Sequence, residues 1–322
     1  MSGAGAIPVA VQGLGPMGRV ILGAAQRDPR LDVVAAVDID PAMAGRSLGA
    51  LDLAPEDVVI SDTLPPAPEG GVLLHATGSY LEAVAGQFEA ALAAGWHVVS
   101  TCEELSYPFV RHPALAASLD AAAREAGRSL LGTGVNPGLL MDRLPVFLTS
   151  ASSDIRSIAV ERVQDPTSRR LPFQRKVGMG LSRAEFDAKA AGGGFGHVGL
   201  EESGRLIAAG LDWRIDAWSR ELRPVQPDPS APVRGLVETL TGATGDGRRV
   251  SLHFEAQSGV AESYDAVTVE GTPPLSLRFE GGVLGDAATA AAVVRAAHVL
   301  PSAQRGLITV LDLPLRRRPP SA

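Results

Sequence analysis

The sequence predicts an α/β protein: a parallel, doubly wound sheet followed by a second region of mixed strands and helices. Three observations predict it. Up to about residue 137, short β-branched runs alternate with longer Ala-rich runs, the pattern of strands joined by crossover helices. A glycine-rich turn, GLGPMG, sits on the first of those crossovers. After residue 150 the pattern changes to longer strands and hairpins. At roughly 100 to 200 residues per domain, the chain's 322 residues suit one large domain or two ordinary ones.

In chain order, residues 7–11 read as a strand, 17–27 as a helix and 33–37 as a second strand. Residues 72–76 read as another strand, and the helix over 81–94 stops at Gly95, the residue type expected just past a helix end. A strand at 97–100, a helix at 113–126 closed by Gly127 and a strand at 129–132 complete the alternating half. Beyond it, residues 248–257 alternate, with Val250, Leu252, Phe254 and Ala256 on one face. Residues 267–270 and 275–279 form a hairpin through GTPP, and 155–163 and 233–240 supply further strands of an antiparallel or mixed sheet. Ser182 to Glu185 has the capping-box pattern for a helix over 183–191. A glycine loop, His197 and another helix follow. Near the C-terminus, an Ala-rich helix over 287–299 and the strand GLITVLDLPL need a partner surface, and the first domain can supply it.

Composition removes several function classes. Hydrophobic residues at 45% and charged residues at 20% suit a packed globular chain and exclude global disorder. A net charge of −7 leaves no electrostatic footprint for nucleic acid or an anionic membrane. The basic run Arg316 to Arg318 lies in a Pro-rich tail and reads as a solvated end. A single cysteine, Cys102, excludes an internal disulfide framework and a cysteine-rich zinc site; no metal is expected. With no basic-then-apolar leader and no long uncharged apolar run, the expected compartment is the cytoplasm, with no membrane partner.

The turn GLGPMG places Gly13, Gly15 and Gly18 in the GxGxxG spacing. Gly13 permits the tight turn, Gly15 lets a pyrophosphate approach the backbone, and Gly18 lets the helix pack on the sheet. Pro16, Met17 and Arg19 open the helix whose free N–H groups and positive dipole end suit phosphates. Asp38, at the end of the second strand, stands twenty residues beyond Gly18, and the set matches the dinucleotide fingerprint of a Rossmann-type domain. Asp38 would accept from the ribose hydroxyls and repel a 2′-phosphate, which favours NAD over NADP. Asp38 and Asp40 also fit turn positions before Pro41, and Arg19 and Arg46 are the cations available to balance a 2′-phosphate.

In open α/β sheets ligands bind beyond the carboxyl ends of the strands. Three loops there carry the remaining candidates. Thr77 and Gly78 begin a small polar loop suited to backbone contact with a cofactor, or to capping a helix. Thr101, Cys102, Glu103 and Glu104 put two carboxylates directly after a strand, where a carboxylate can relay protons or stabilise a cationic intermediate. Two solvated glutamates at a helix start fit the same spacing. Cys102 has no adjacent base and reads as a small buried residue. Asn136, held before Pro137, offers a fixed amide to cofactor or substrate, or marks an interdomain turn.

Together these residues resemble the 2,4-diaminopentanoate dehydrogenase family, including its native NAD(P)-dependent amine dehydrogenases. The resemblance lies in VQGLGPMGR, DIDPAMAGRSLG, HVVSTCEELSYP, GTGVNPGLLMD, LPFQRKVGMGL, GHVGLEES and GLITVLDLP, so it spans nearly the whole chain. HVVSTCEELSYP with GTGVNPG is its specific part, because both lie outside the generic nucleotide fingerprint. It implies a homodimer with a Rossmann domain and a mixed α+β substrate and dimerisation domain; the pattern along the chain places the dinucleotide-binding domain at 1–137, with 286–322 returning to it, and the substrate domain at 138–285. The resemblance also implies reversible oxidative deamination of a small amine or diamino acid, or in reverse the reductive amination of a carbonyl compound such as a ketone with ammonia.

In that reaction a glutamate of the CEEL loop would assist proton transfer and balance the iminium charge, Glu104 being preferred to Glu103. His197, from its place in GHVGL, is implied to be a substrate-pocket residue; a capping or core histidine is the other reading. Arg162, Arg170 and Lys176 are candidates for holding a substrate carboxylate, or are solvated charges. The chain is more distantly similar to dihydrodipicolinate reductases, whose paired histidines and lysine-containing substrate motif it lacks. A non-catalytic NAD(P)-sensing Rossmann protein is the alternative outside enzymes, although a sensor needs no carboxylate pair after that strand.

Overall fold

The structure is a computed structural model that describes residues 5–167, 171–192 and 195–315. The chain divides into two compact units, Met1–Leu139 with Gly285–Ala322, and Leu140–Leu284. Arg170 and the Arg316 to Arg318 run lie outside the described residues.

The first unit opens with β1 (Ile7–Gln12), α1 (Pro16–Gln26), β2 (Leu31–Val37), the short β3 (Ile60–Ser61) and β4 (Val72–His75). It continues with α2 (Leu81–Ala93), β5 (His97–Ser100), α3 (Pro113–Glu125) and β6 (Ser129–Gly132). Every residue of β4, β5 and β6 is buried, as expected of parallel strands covered on both faces.

In the second unit come α4 (Arg143–Thr149), β7 (Ser153–Gln164), α5 (Leu171–Lys176), α6 (Arg183–Ala191) and α7 (Leu200–Gly210). The strands β8 (Ala217–Val225), β9 (Gly235–Ala243), β10 (Arg249–Gln257), β11 (Tyr264–Thr272) and β12 (Leu275–Glu280) complete it. The chain then re-enters the first unit with α8 (Gly285–Val299) and β13 (Gly306–Ile308).

The first sheet has the order β13-β6-β5-β4-β1-β2-β3, all parallel. Strand order reverses between β1 and β4, the switch point where a crevice opens at the carboxyl ends of the strands. The last element joins through Gly306, Leu307 and Ile308, which pair with Ser129, Leu130 and Leu131, while α8 packs against α1. The expected strand over GLITVLDLPL is corrected: only three of its residues pair. Thr309 then caps a single turn over Val310–Asp312, accepting from Leu311 N while Asp312 accepts from Thr309 N.

The second sheet, β12-β11-β7-β10-β9-β8, is mixed. Only the β7–β10 pair is parallel, with Val160 opposite Leu252 and Arg162 opposite Phe254. Helix α7 packs on β9 and β10, where Gly204 allows close approach: a Cβ there would lie 2.9 Å from Leu240 Cδ2 and from Trp218. Helix α6 begins with the expected capping box, Ser182 N donating to Glu185 Oε2 at 2.8 Å. Strand β8 gave no sequence signal because it is an edge strand. It exposes Arg220, Glu221 and Arg223, and Pro224 interrupts its pattern.

Among the described residues no helix is long and apolar enough to cross a membrane, and no group of three or more His, Cys, Asp or Glu is arranged to hold a metal ion. Leu73, fully buried in β4, packs in the core with Leu81, Phe88 and Val98. Leu73→Ala is expected to destabilise the first unit by about 2 to 5 kcal/mol. Native-state hydrogen exchange checks this: protection should fall at amides of β4 and β5 and stay unchanged in β9 and β10.

Candidate functional site

The β1–α1 crossover has the geometry of an anion cradle. Gly13 adopts φ +87°, and a Cβ there would meet the Ala76 carbonyl oxygen at 2.7 Å. A Cβ on Gly18 would overlap the Gly13 carbonyl oxygen, so the helix start lies directly on the turn. At Gly15, by contrast, a Cβ would meet nothing within 4 Å. The backbone is open where a pyrophosphate would approach, and the Met17 and Gly18 amides stand at the start of α1; the Arg19 N–H already donates to Gly15 O at 3.0 Å, and Pro16, at the first helical position, has no N–H. These residues therefore fit a dinucleotide.

Asp38 closes the other side of this turn. Its Oδ2 accepts from Leu14 N at 2.6 Å, and its Oδ1 accepts from Asp40 N at 2.9 Å. A carboxylate has about four acceptor positions, so two bonds that fix its orientation leave capacity for ribose hydroxyls. The exposed Arg19 donates through Nε to Leu14 O at 2.9 Å, and its Nη2 lies 3.7 Å from Met43 Sδ. Arg46 donates to Ala50 O at 2.6 Å.

Behind the cradle, at the ends of β4 and β5, lies a polar network that the sequence did not signal. His75 Nδ1 lies 2.8 Å from Ser100 Oγ, and Nε2 lies 3.0 Å from Gln87 Oε1 and 2.8 Å from Thr77 Oγ1. Ser100 Oγ accepts from Cys102 N at 3.0 Å. A neutral imidazole satisfies both sides, one nitrogen donating and the other accepting. Burial lowers the His75 pKa to about 4. Gly78 packs against Val84, where a Cβ would meet Cγ1 at 3.0 Å, and Thr101 N donates to His75 O at 3.0 Å.

The carboxylate loop follows β5 as a short turn over Glu103–Ser106. Cys102 is fully buried, with Sγ donating to Ser79 O at 3.3 Å, and burial pushes its pKa up to about 12, which suits packing and not nucleophilic attack. Glu104 is buried as well. Its Oε2 accepts from Leu81 N at 2.8 Å and lies 3.1 Å from His112 Nε2, while Oε1 accepts from Arg111 Nη1 at 3.4 Å. Leu81 begins α2, whose preceding residue Tyr80 provides no side-chain cap. Glu104 thus caps α2 from a distant part of the chain and clasps the 101–106 and 77–81 loops together. Glu103, the other carboxylate, is partly exposed.

Asn136 lies in the turn after β6, partly exposed and joined to Pro137 by a cis bond. This turn is closed by Gly138 at φ +126° and tied to α8, Val135 N donating to Thr289 Oγ1 at 3.2 Å.

In the second unit His197 sits on the sheet face formed by Arg162, Phe254 and Glu238, neighbours in register across β7, β10 and β9. Its ring lies 4.6 Å from that of Phe254. Burial, then the charges of Lys176, Arg162 and Arg220, holds its pKa well below the ordinary histidine value, so the ring is neutral at physiological pH. Arg162 is buried and already committed: Nη1 pairs with Asp265 Oδ1 at 2.5 Å and Nη2 donates to Val283 O at 2.9 Å. Since Val283 N also donates to Asp265 Oδ2, the pair anchors the strand-to-helix connection before α8. The reading of Arg162 as a solvated charge is therefore corrected. Lys176, the last residue of α5, is half-buried.

The 2,4-diaminopentanoate dehydrogenase C-terminal domain family matches residues 139–319, more than half of the chain. The chain belongs to the 2,4-diaminopentanoate dehydrogenase family. It is 26% identical to a 2,4-diaminopentanoate dehydrogenase of Acetoanaerobium sticklandii over 333 residues, covering 97% of this chain and 94% of that one. It is 25% identical to an amine dehydrogenase of Streptomyces virginiae, covering 96% and 97%. Its fold matches that of an amine dehydrogenase from Mycobacterium smegmatis with a TM-score of 0.83 at 22% identity, over 99% of both chains.

The neutral histidines have a consequence for stability. In the unfolded chain His75 titrates near pH 6.5, whereas in the folded chain it resists protonation to about pH 4. The unfolded state therefore binds more protons between those values, and stability falls as pH drops through that window. At its acid end His75 accounts for about 3 kcal/mol. Urea midpoints measured at pH 7 and 4.5 should lie further apart for the natural protein than for His75→Gln; equal gaps would show that the ring is not held neutral.

Proposed function

We propose that this protein is an NAD(P)-dependent amine dehydrogenase acting on a small amine or diamino acid. In one direction an amine, water and NAD(P)⁺ give a carbonyl compound, ammonia, NAD(P)H and a proton. The observation that carries the reading is the division of labour in the carboxylate pair: Glu104 clasps two strand-end loops, while its neighbour Glu103 remains partly exposed on the same turn. When bound, the nicotinamide supplies hydride acceptance and return.

The chain's own residues have distinct tasks in this reading. Backbone amides of Met17 and Gly18 at the open Gly15 cradle hold the pyrophosphate, the exposed Arg19 side chain stands beside them, and Pro16 sets the helix start. Asp38, oriented by Leu14 and Asp40, accepts from the ribose and disfavours a 2′-phosphate, so NAD is preferred to NADP. Thr77, Gly78, Thr101 and Asn136 line the cofactor at the strand ends, and the Asn136 amide also orients substrate.

Glu103, partly exposed where the sequence-preferred Glu104 is buried against Leu81, His112 and Arg111, transfers protons and balances the iminium charge. Glu104 is a positioning residue. In the substrate region His197 contributes a neutral polar edge, and Lys176, with Arg162 occupied by Asp265, is the cation for any substrate carboxylate. A cytoplasmic homodimer completes the proposal.

Oxidation of NADH and NADPH with a panel of small ketones and aldehydes at high ammonia tests the activity. Tight cofactor binding without ammonia-dependent turnover would favour a nucleotide sensor. Glu103→Gln should lower kcat by about 10²-fold or more with NADH affinity kept. Glu104→Gln should chiefly reduce thermal stability; the reverse pattern would return the chemistry to Glu104. Asp38→Ala should weaken NADH relative to NADPH in fluorescence titrations, and an unchanged ratio would refute the role given to Asp38.

A further inference from the structure

Glu238 is a carboxylate with no solvent exposure in the middle of β9, on a face where its neighbours along the strand are Leu236 and Leu240. Both its oxygens are used. Oε1 accepts from Arg220 Nε at 2.7 Å, and Oε2 accepts from the backbone N–H of His197, also at 2.7 Å. Arg220, on the adjacent edge strand β8, uses Nη2 to donate to the Phe195 carbonyl at 2.8 Å. The ion pair thus grips the chain on both sides of Gly196. Gly196 has φ +103°, and a Cβ there would come within 2.5 Å of Glu238 Oε2 and 3.0 Å of Arg220 Nη2, so only glycine fits inside the grip. Outside it the Phe195 ring packs edge-on against Phe186 of α6 with centroids 5.0 Å apart, and the His197 ring lies over Phe254.

Stability alone gives a weak account of this arrangement. Removing a carboxylate from water costs several kcal/mol, and a buried ion pair is often no more stable than apolar side chains of similar volume. A leucine at 238 would continue the apolar pattern of Leu236 and Leu240. What the pair does that leucine cannot is hold a backbone N–H and a carbonyl two residues apart in a fixed relation, which sets where the next side chain points. That side chain is His197.

We propose that Glu238 and Arg220 are positioning residues of the reaction, clasping Phe195–Gly196–His197 so that the His197 imidazole is presented to the substrate in one orientation. The inference rests on the reading of His197 as a substrate-pocket residue. Neither Glu238 nor Arg220 touches substrate; both act through the histidine.

The test compares Glu238→Gln, Arg220→Gln, Arg220→Lys and His197→Asn in ammonia-dependent carbonyl reduction at saturating NADH. Arg220 is partly exposed, so its variants keep the test open should Glu238→Gln fail to fold. Glu238→Gln and Arg220→Gln are expected to raise the carbonyl KM about 10-fold with kcat changed less than threefold and NADH affinity unchanged. Arg220→Lys should recover part of the loss, since an ammonium can pair with Glu238 without also reaching Phe195 O. Combining Glu238→Gln with His197→Asn should be no worse than His197→Asn alone, as expected when one residue acts through the other. Effects that multiply in the double variant, or a natural KM in both Glu238→Gln and Arg220→Gln, would overturn the clasp.

A natural KM in His197→Asn would overturn the reading of His197, and the inference with it. A readout without turnover separates failure of the amine dehydrogenase reading. In imidazole carbon–proton spectra the His197 resonance should move or broaden in Arg220→Gln, while those of His75 and His97 stay in place. An unmoved His197 resonance would overturn the clasp whatever the enzyme's activity.

Discussion

The contact between the start of α1 and the turn that precedes it leaves no space for a side chain at Gly18, whose Cβ would overlap the Gly13 carbonyl oxygen. The first unit is organised around that closeness. It brings the helix N-terminus over the end of β1, beside the point where strand order reverses, and of the turn's three glycines it leaves Gly15 open. Asp38 holds the turn from the end of the second strand through Leu14 N, so the carboxylate proposed to meet the ribose also fixes the loop. An anion cradle results from packing: the same lack of side chains that lets the helix approach also exposes its amides.

Buried polar groups recur throughout both units as devices for fixing loops. Glu104 caps α2 and joins two strand-end loops; His75 links β4, β5 and the helix residue Gln87; Arg162 and Asp265 hold Val283; Glu238 and Arg220 hold the chain around Gly196. Each would be a poor choice if stability were the only requirement, because desolvation opposes every one of them. Their shared property is geometric. They connect a rigid strand or helix to an irregular segment, and at Glu104, His75 and Glu238 that segment carries or adjoins a group proposed to meet cofactor or substrate.

Much of the fold was legible because the alternating half obeys strong local rules. The strand over residues 97–100 and the capping box at Ser182 agree with their sequence signals, since a short run around Val98 and Val99 just after a helix-ending glycine and paired Ser and Glu spacing are local chemistry. Where the reading fell short, the deciding partner was remote. The closing strand pairs for only three residues because its partner β6 is four residues long and Thr309 finds a local bond instead. Strand β8 is held at the sheet edge by β9 alone, which no alternation within its own charged sequence announces.

Sequence alone determined the α/β class, the family and the short set of side chains on which the chemistry is proposed to rest, because glycine spacing and strand-end carboxylates are properties of neighbouring residues. Which of two adjacent glutamates is buried was decided by tertiary structure. Glu103 and Glu104 differ by one position in a turn, and only the arrival of Leu81, Arg111 and His112 around Glu104 separates them. The same holds for Arg162, committed by an aspartate more than a hundred residues away, and for Glu238, which reads as a strand residue until the backbone of His197 is laid against it. Hydrogen-bond partners brought together by the sheet are not encoded in any local period, and they decide which polar groups are buried in structural contacts.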